Sequence, residues 1–510
     1  GINGIYFNNQ KMIYVSGSAG ATSMFLGVSA GGQNAATGGE SNLGIGYQTA
    51  FALTTGDFNT LIGFNAGKAL QNGSANIFLG SSAGLKTIDG EVNIAIGSNA
   101  FYNSTGTADY NIAVGYNAIG LGDVSGAENI GMGRQVLYDL TSGAANIAIG
   151  SFAAENLTAA SNTIAIGNSA LGAGILTGAN NIGIGFRAGG ALIDGLENVL
   201  IGSNVGLEMT DNQYNVAIGY HTLMASAANA HRNVAIGYEV MSVNDASGDA
   251  NVVIGDNAGK NMTSGGANVL LGRLAGGGGN LTGGYNVAIG NQAAQNITSM
   301  GSSVFLGLYA GHNLTVGNRN IAIGPYSLFT STANSIENNI AIGNSALRAG
   351  NVSGDRNIGL GTSTLYDLTS GTDNIAVGVT AAYNLTTGVG NIAIGSGSMA
   401  LAAVTAHDNI AIGNRAMEDV TSGGGNIAIG SGSAANITTN IKNIAIGESA
   451  FAGSINDGDT NIAIGYQAIK TGDVSGDNNT GVGSQTLKNL TSGQSNLAIG
   501  SGSMGLGTVT

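Results

Sequence analysis

Asn146-Ile147-Ala148-Ile149-Gly150 is a clean copy of a phrase that returns, with substitutions, from Ser23-Met-Phe-Leu-Gly27 to Asn496-Leu-Ala-Ile-Gly500, 28 copies without a gap. Twenty-seven steps cover 473 residues, a mean period of about 17.5. A fixed period of this length marks a stacked repeat architecture, so one elongated domain is expected from 510 residues that would otherwise suggest several. Composition agrees: 89 Gly, one Pro, no Cys, no Trp and 9% charged residues describe short strands and tight turns. The expected fold is all-β, a parallel β-solenoid of about 28 coils over 23–510, and residues 1–22 form an N-terminal cap or docking segment. In that segment Gly1–Gln10 and Lys11–Val15 suggest two short strands joined at Asn8-Asn9.

The phrase assigns a task to each position. Gly at position five occurs in 28 of 28 copies, as a corner that excludes a side chain requires. Position one is Asn except at Ser23, Thr163 and Ser303, and these keep a side-chain oxygen, so a stacked hydrogen-bonded ladder is expected. Positions two and four are Ile, Val, Leu or Met apart from Thr60 and Thr480; alternation along a strand puts them on one face, expected to be the coil interior. Position three then points outward, yet it is Ala or Gly in 21 copies and Phe, Leu or Val at Phe25, Leu61, Phe78, Leu200, Val253, Leu270 and Phe305. A continuous apolar strip suggests a buried contact. Its simplest reading is approach by other chains around a threefold axis; the rival is a thin roll packed on both faces within one chain.

After the phrase, a second apolar residue and Thr recur in Asp139-Leu-Thr, Asn156-Leu-Thr, Asp367-Leu-Thr, Asn384-Leu-Thr and Asn489-Leu-Thr, which suggests a second short strand or bend with Leu inward. A single coil buries too little to offset the backbone entropy of ordering it, so stability comes from parallel stacking. At about 4.8 Å per coil, 28 coils make a rod roughly 130 Å long. Long coils come in pairs, at Asn93 and Asn111, Asn215 and Asn233, Asn320 and Asn339, and Asn443 and Asn461, and Gly-Asp-Val-Ser-Gly at 122–126 returns at 472–476, which suggests duplicated blocks.

Units of Asn-Ile-Ala-Ile-Gly-Tyr-Xaa-Ala separated by Leu-Thr-Ser-Gly turns, as in 111–150, 357–395 and 461–500, resemble the repeats of phage tail-fibre-type proteins and bacterial tail-fibre-domain surface proteins. They are also similar to the head repeats of trimeric autotransporter adhesins. The resemblance spans about 23–510 and implies an extracellular fibrous setting, on a cell surface or virion. The adhesin heads imply a left-handed parallel β-roll assembled as a trimer, with shorter coils than these.

The remaining residues narrow the function classes. A net charge of −14 with 15 scattered Lys and Arg argues against nucleic acid, and no stretch approaches the roughly 18 apolar residues of a spanning helix. The first residue, Gly1, suggests a processed product or a segment of a longer protein. His221, His231, His312 and His407 stand in non-equivalent positions, and no metal, cofactor or catalytic set is assigned. Carboxylates gather before the phrase at Asp123, Glu128, Asp245, Asp249, Asp355, Asp457, Asp459, Asp473 and Asp477, as solvated turn residues, a Ca²⁺ edge or an acid/base pair on a glycan. Tyr47, Phe64, Tyr116, Phe186, Tyr220, Tyr238 and Tyr466 follow the phrase and suit either sugar stacking or interface packing. The sequons at Asn156, Asn280, Asn313, Asn384 and Asn489 belong largely to the structural Leu-Thr turn. The expectation is a non-enzymatic fibre shaft that self-associates, as a homotrimer and end to end into a filament. The alternatives are a tailspike-like protein that binds or hydrolyses surface glycans and, third, an ice- or crystal-surface binder.

Overall fold

The computed structural model describes residues 5–7, 10–18, 21–32, 39–225, 230–243, 247–329, 336–348, 352–401, 404–453, 458–470 and 475–505. It divides the chain into two compact units, Gly1–Ile254 and Gly255–Thr510. Both are parallel β-solenoids without helix among the described residues, and no helix is long and apolar enough to cross a membrane.

The first unit opens with β1 (Ile5–Phe7) and β2 (Gln10–Ser18), which pair antiparallel. β2 also pairs antiparallel with β3 (Ala21–Leu26), the first phrase strand, so the start of the coil stack is covered by two added strands. The expected Asn8-Asn9 turn lies outside the described residues. From Leu26 onward each phrase contributes one strand, usually three residues long, that pairs in parallel with its counterparts one coil away. Thus Ile147–Ile149 sits in register with Ile130–Met132 on one side and Ile164–Ile166 on the other. Ile147 N–H donates to Thr163 O at 2.9 Å, and Gly150 N–H donates to Met132 O at 2.8 Å. The second unit repeats this from Val269–Leu271 to Leu497–Ile499.

The facing of the phrase is the reverse of the expectation. Position three is buried in every coil, from Phe25 through Ala148 to Ala463, while positions two and four lie on the outer face, half-buried to exposed. The interior is narrow, and what fills it explains the composition. All seven large residues at position three are followed six residues later by Gly: Gly31, Gly67, Gly84, Gly206, Gly259, Gly276 and Gly311. Where position three is Ala or Gly, the large side chain usually stands six residues on instead, as in Ala95 with Phe101, Ala165 with Leu171 and Ala445 with Phe451, all buried. A Cβ added at Gly84 would lie 2.3 Å from the Phe78 ring and one at Gly311 would lie 2.2 Å from Phe305. Each coil therefore holds about one large side chain at this level, and two would overfill it.

The expected second strand is mostly a bend. The Leu of the Leu-Thr turn does point inward, with Leu140, Leu157, Leu368, Leu385 and Leu490 fully buried, but among the described residues regular pairing there is confined to Gly317–Asn318 with Ile336–Glu337 and to isolated bridges. Chain reversal comes instead from left-handed backbone at non-glycine residues, typically three per coil, such as Ala145, Phe152 and Ala154 at φ of 56, 59 and 47°. The phrase glycine reaches larger angles still, +129° at Gly150, where a Cβ would meet Gly167 O at 2.6 Å. Conformation and coil spacing both demand glycine there.

The Asn ladder forms as expected. Asn59 Nδ2 donates to Asn42 Oδ1 at 3.0 Å and to Gly73 O at 2.9 Å, and its backbone N–H donates to the same Asn42 Oδ1 at 2.9 Å. Each amide thus ties its own strand start to the previous coil and to a turn carbonyl 14 residues on. Ser303 passes the ladder on, accepting from Asn320 N at 3.1 Å, whereas the Thr163 hydroxyl donates to Ser161 O and Asn181 turns its amide to Gly178 and Gly195.

Candidate interaction face

Because position three faces inward, the apolar strip expected to meet another chain is not made by the central Ala. It is made by positions two and four. Two columns of Ile, Val and Leu, with Met at Met24 and Met132 and Thr only at Thr60 and Thr480, run along the outside of each solenoid unit. Ile149, Ile394 and Ile429 are each 37–38% exposed. Their backbone groups are already bonded to the coils on either side, so this face offers side chains and no open hydrogen-bonding edge.

Two further columns flank the strip. On the leading side is the residue before the Asn, exposed in Phe58, Tyr110, Tyr214 and Tyr285. On the trailing side is the residue after the Gly, exposed in the expected Tyr47, Phe64, Tyr116, Phe186, Tyr220, Tyr238 and Tyr466. Contacts along these columns run from coil to coil. Tyr47 stacks on Phe64 with centroids 5.2 Å apart and Tyr220 on Tyr238 at 5.3 Å. In the leading column Arg356 grips Asp373 through Nε and Nη2 at 2.6 and 3.0 Å, which holds the Asp373 carboxyl below its ordinary range.

The residues singled out for chemistry are mostly structural. Asp249, Asp355, Asp459 and Asp477 each accept a backbone N–H of the preceding coil at 2.8 Å, from His231, Glu337, Ile441 and Asp459. His231 and His407 do the same through Nδ1, accepting from Gln213 and Val389 at 3.1 and 3.0 Å. The corner selects any side-chain acceptor of suitable reach, and the amino-acid string shows this only once the coils are aligned. Asp123 instead accepts from the hydroxyl and amide of Thr105, which hold its carboxyl below the usual range, and Glu128 stands in the leading column. Asp245, Asp457 and Asp473 lie outside the described residues. Among the described residues no group of three or more His, Cys, Asp or Glu could hold a metal ion.

His221 stacks on Tyr220 and meets Asn204 Nδ2 at 3.1 Å, whereas His231 serves the corner, so the two have separate tasks. His312 joins Tyr309, Tyr326 and Phe329 in an aromatic cluster closed by Gln292. The sequon side chains at Asn156, Asn384 and Asn489 donate Nδ2 to carbonyls of the next coil at 2.8, 2.8 and 3.0 Å, as structural turns do. Asn313 accepts from Asn296 Nδ2 at 3.2 Å, and the stacking of the Thr hydroxyls likewise ends on backbone, as in Thr369 to Thr386 O at 3.0 Å.

One feature was not foreseen from the sequence. Gly172 and Gly190, with Ala173 and Ala191, leave a notch of about 420 Å³ bordered by Glu155, Asn156, Arg187 and Glu208. Beside it, burial raises the carboxyl pKa values of Asp139 and Glu155, and the Asp139 charge raises Glu155 further against the pull of Arg134. The local signal is a coil whose outward residues are all small, visible only after the turns are placed. No protein-family model matches the chain, and no curated protein matches it in sequence.

Proposed function

We propose that this protein is a structural element of an extracellular fibre, of the tail-fibre or adhesin kind its repeats resemble, and that it works by self-association through the outer aliphatic face. The observation that carries the reading is the persistence of that face, where only Thr60 and Thr480 interrupt two columns of aliphatic side chains. Solubility alone would place polar residues there, as the flanking columns do in most coils.

Magnitudes support it. The second unit has fourteen phrase strands, so its strip is about 65 Å long at the inter-strand spacing. At a width of about 11 Å for two columns it covers about 700 Å², close to the ~800 Å² per partner of a standard interface. Each half-covered Ile would contribute roughly 0.6–1 kcal/mol on complete burial. The strip also has a period, and period selects the partner. An α-helix rises about 5.4 Å per turn against about 4.8 Å per coil, so knobs and holes would fall out of step within about four coils. A further copy of this chain has the matching repeat, and three copies around a common axis would bury the strip completely.

Replacement of Ile392 and Ile394 by Glu tests the reading. Both are outward, so the solenoid persists by circular dichroism while the assembly mass falls in sedimentation equilibrium. A wild-type chain that is monomeric at micromolar concentration would overturn the proposal. The raised Asp139 and Glu155 beside the notch, near enough for the Asp139 charge to raise Glu155, favour a second reading, a glycan-hydrolysing surface with the two carboxyls as acid and base. Depolymerisation of surface polysaccharide that is abolished by Glu155→Gln would support it over the structural reading.

A further inference from the structure

The notch over Gly172 and Gly190 is a specific departure from the repeat. Counting from the phrase glycine, the fifth and sixth residues of a coil are Glu155-Asn156 on one side of it and Leu207-Glu208 on the other, but Gly172-Ala173 and Gly190-Ala191 in the two coils between. Two successive coils therefore lay no large side chain over this face, and the coils on either side stand as walls. Asn156 Nδ2 donates to Gly172 O at 2.8 Å and to Ala173 O at 3.4 Å, which fastens one wall to the floor. The backbone beneath runs on undisturbed: Ala173 N–H donates to Gly190 O at 2.9 Å and Ala191 N–H to Leu207 O at 3.1 Å. A volume of about 420 Å³ lies within the range of small-ligand sites.

Three charged side chains border this space from different directions. Glu155 stands on one wall, Glu208 on the other, and Arg187, the second residue after Gly185, on the flank. Glu155 is half-buried and the other two are exposed, and among the described residues none of the three is held in an ion pair or a side-chain hydrogen bond. Arg187 lies beside the ring of its own neighbour Phe186, 5.7 Å from Cζ. Two carboxylates and one guanidinium over a floor of Gly and Ala complement a molecule with two ammonium groups and one carboxylate on an apolar chain. The spacing fits: Glu155 and Glu208 are three coil steps apart, about 14 Å. The two ammonium groups of an extended lysine are about 7 Å apart, and a hydrogen bond of about 2.9 Å at each end brings the span to about 13 Å. Arg187 stands one coil from Glu208 and two from Glu155, so the α-carboxylate and α-ammonium belong at the Glu208 end and the ε-ammonium at Glu155.

We propose that the notch binds a dibasic amino acid of the length of lysine, with Arg187 taking the carboxylate, Glu208 the α-ammonium and Glu155 the ε-ammonium. The guanidinium fork suits a carboxylate, and an ammonium on half-buried Glu155 is screened less than one on exposed Glu208. A neutral sugar leaves three charges unanswered, and a plain diamine sets a like charge against Arg187. Burial, with the Asp139 charge behind it, holds the Glu155 carboxyl above its ordinary value against the pull of Arg134, and an ammonium seated there displaces the proton it keeps. The proposal is independent of self-association, and it gives Glu155 a partner other than the glycan of the second reading. A notch of the same make stands in the second unit, where Asn489 Nδ2 donates to Gly505 O at 3.0 Å and Gln485, Lys488 and Gly502 complete the border of about 260 Å³. Its lining has no carboxylate, so one lysine per chain is expected and not two.

Titration calorimetry of the full chain with L-lysine tests this. The expected result is one site per chain with a dissociation constant of about 0.1–1 mM. Norleucine, which lacks the ε-ammonium, and pentane-1,5-diamine, which lacks the carboxylate, should each bind at least tenfold more weakly, as should lysine to Arg187→Ala and to Glu155→Gln. Gly190→Leu copies Leu207 of the next coil into the floor, and the nearest contact of the added Cβ is the end of the Leu207 side chain at 3.1 Å. The coil should therefore persist by circular dichroism while binding is lost. No heat of binding at about 10 mM lysine, a diamine that binds as tightly as lysine, or unchanged affinity in Arg187→Ala overturns the proposal. The glycan reading is decided separately: polysaccharide depolymerised alike by the wild type and Arg187→Ala, with no lysine bound, keeps that reading and removes this one.

Discussion

The pairing of Phe78 with Gly84 can be tested by exchange. Phe78 is fully buried at position three, and Gly84 stands opposite it at φ +58°, where a Cβ would approach the ring to 2.3 Å. One coil on, Ala95 and Phe101 hold the same volume in the opposite order, with Phe101 buried at φ 51°. Phe78→Ala alone removes a buried ring and should cost about 3–5 kcal/mol. Gly84→Phe alone places two rings where one fits, with overpacking of about 1–3 kcal/mol or more added to the left-handed backbone cost of about 1–2 kcal/mol. The double variant recreates the Ala95/Phe101 arrangement and should return to within about 2 kcal/mol of wild type, leaving mainly the backbone term. The coupling between the sites is then at least about 3 kcal/mol, the upper range for residues in contact. A long stack need not unfold in one step. The suitable assay is therefore native-state amide exchange at Ile77, whose N–H donates to Asn93 O at 2.8 Å, and at Gly80, which donates to Ile62 O. Simple addition of the two single effects, or a harmless Phe78→Ala, would refute the inward facing of position three.

Other changes probe the remaining parts of the coil. Gly150→Ala should lower local stability by about 3 kcal/mol, since the added carbon meets Gly167 O and the backbone angle is one that glycine alone occupies readily; exchange at Ile147 and Ile164 reports it. Asn374→Ala should cost about 2–3 kcal/mol in denaturant unfolding, because it removes bonds to Asn357 and Gly388 and strands the Asn391 amide, whereas Asn374→Ser, which copies Ser303, should lose roughly half of that. Val92 is β-branched, 41% exposed and left-handed at φ 55°, so Val92→Asn should raise the thermal midpoint through a gain of about 1 kcal/mol. Asp139 and Glu155 have raised pKa values in the folded chain, so the native state holds their protons more tightly and stability falls as pH rises from the ordinary carboxylate range through the folded values. Asp139→Asn/Glu155→Gln should flatten that part of the pH–stability curve; an unchanged slope would show that burial at this site is not felt. Asp123 has the opposite sign: its hydrogen bonds to Thr105 stabilise above the ordinary carboxylate value and are lost as pH falls, so Asp123→Asn should weaken the acid-side decline.

Much of this molecule follows from local constraints. The recurrence of the phrase determined a stacked parallel solenoid, and Gly150 and its equivalents could be assigned to corners because one residue type is tolerated there. The Asn column could be assigned to a ladder because Asn, Ser and Thr share an oxygen. Alternation also determined that positions two and four share a face opposite position three. It did not determine which face is inside, because a two-residue period is symmetric between the faces. Only the tertiary structure decided that, through the volume enclosed when the chain closes on itself: the coil admits about one large side chain at that level, and two β-branched residues per strand do not fit. The exchange of Phe78/Gly84 for Ala95/Phe101 writes this limit into the sequence at a separation of six residues, but its meaning requires knowing that the two positions face each other across the interior. The same step moved the proposed contact surface from Ala148 to Ile147 and Ile149, and turned Asp459 from a candidate Ca²⁺ ligand into an acceptor for a backbone amide of the neighbouring coil.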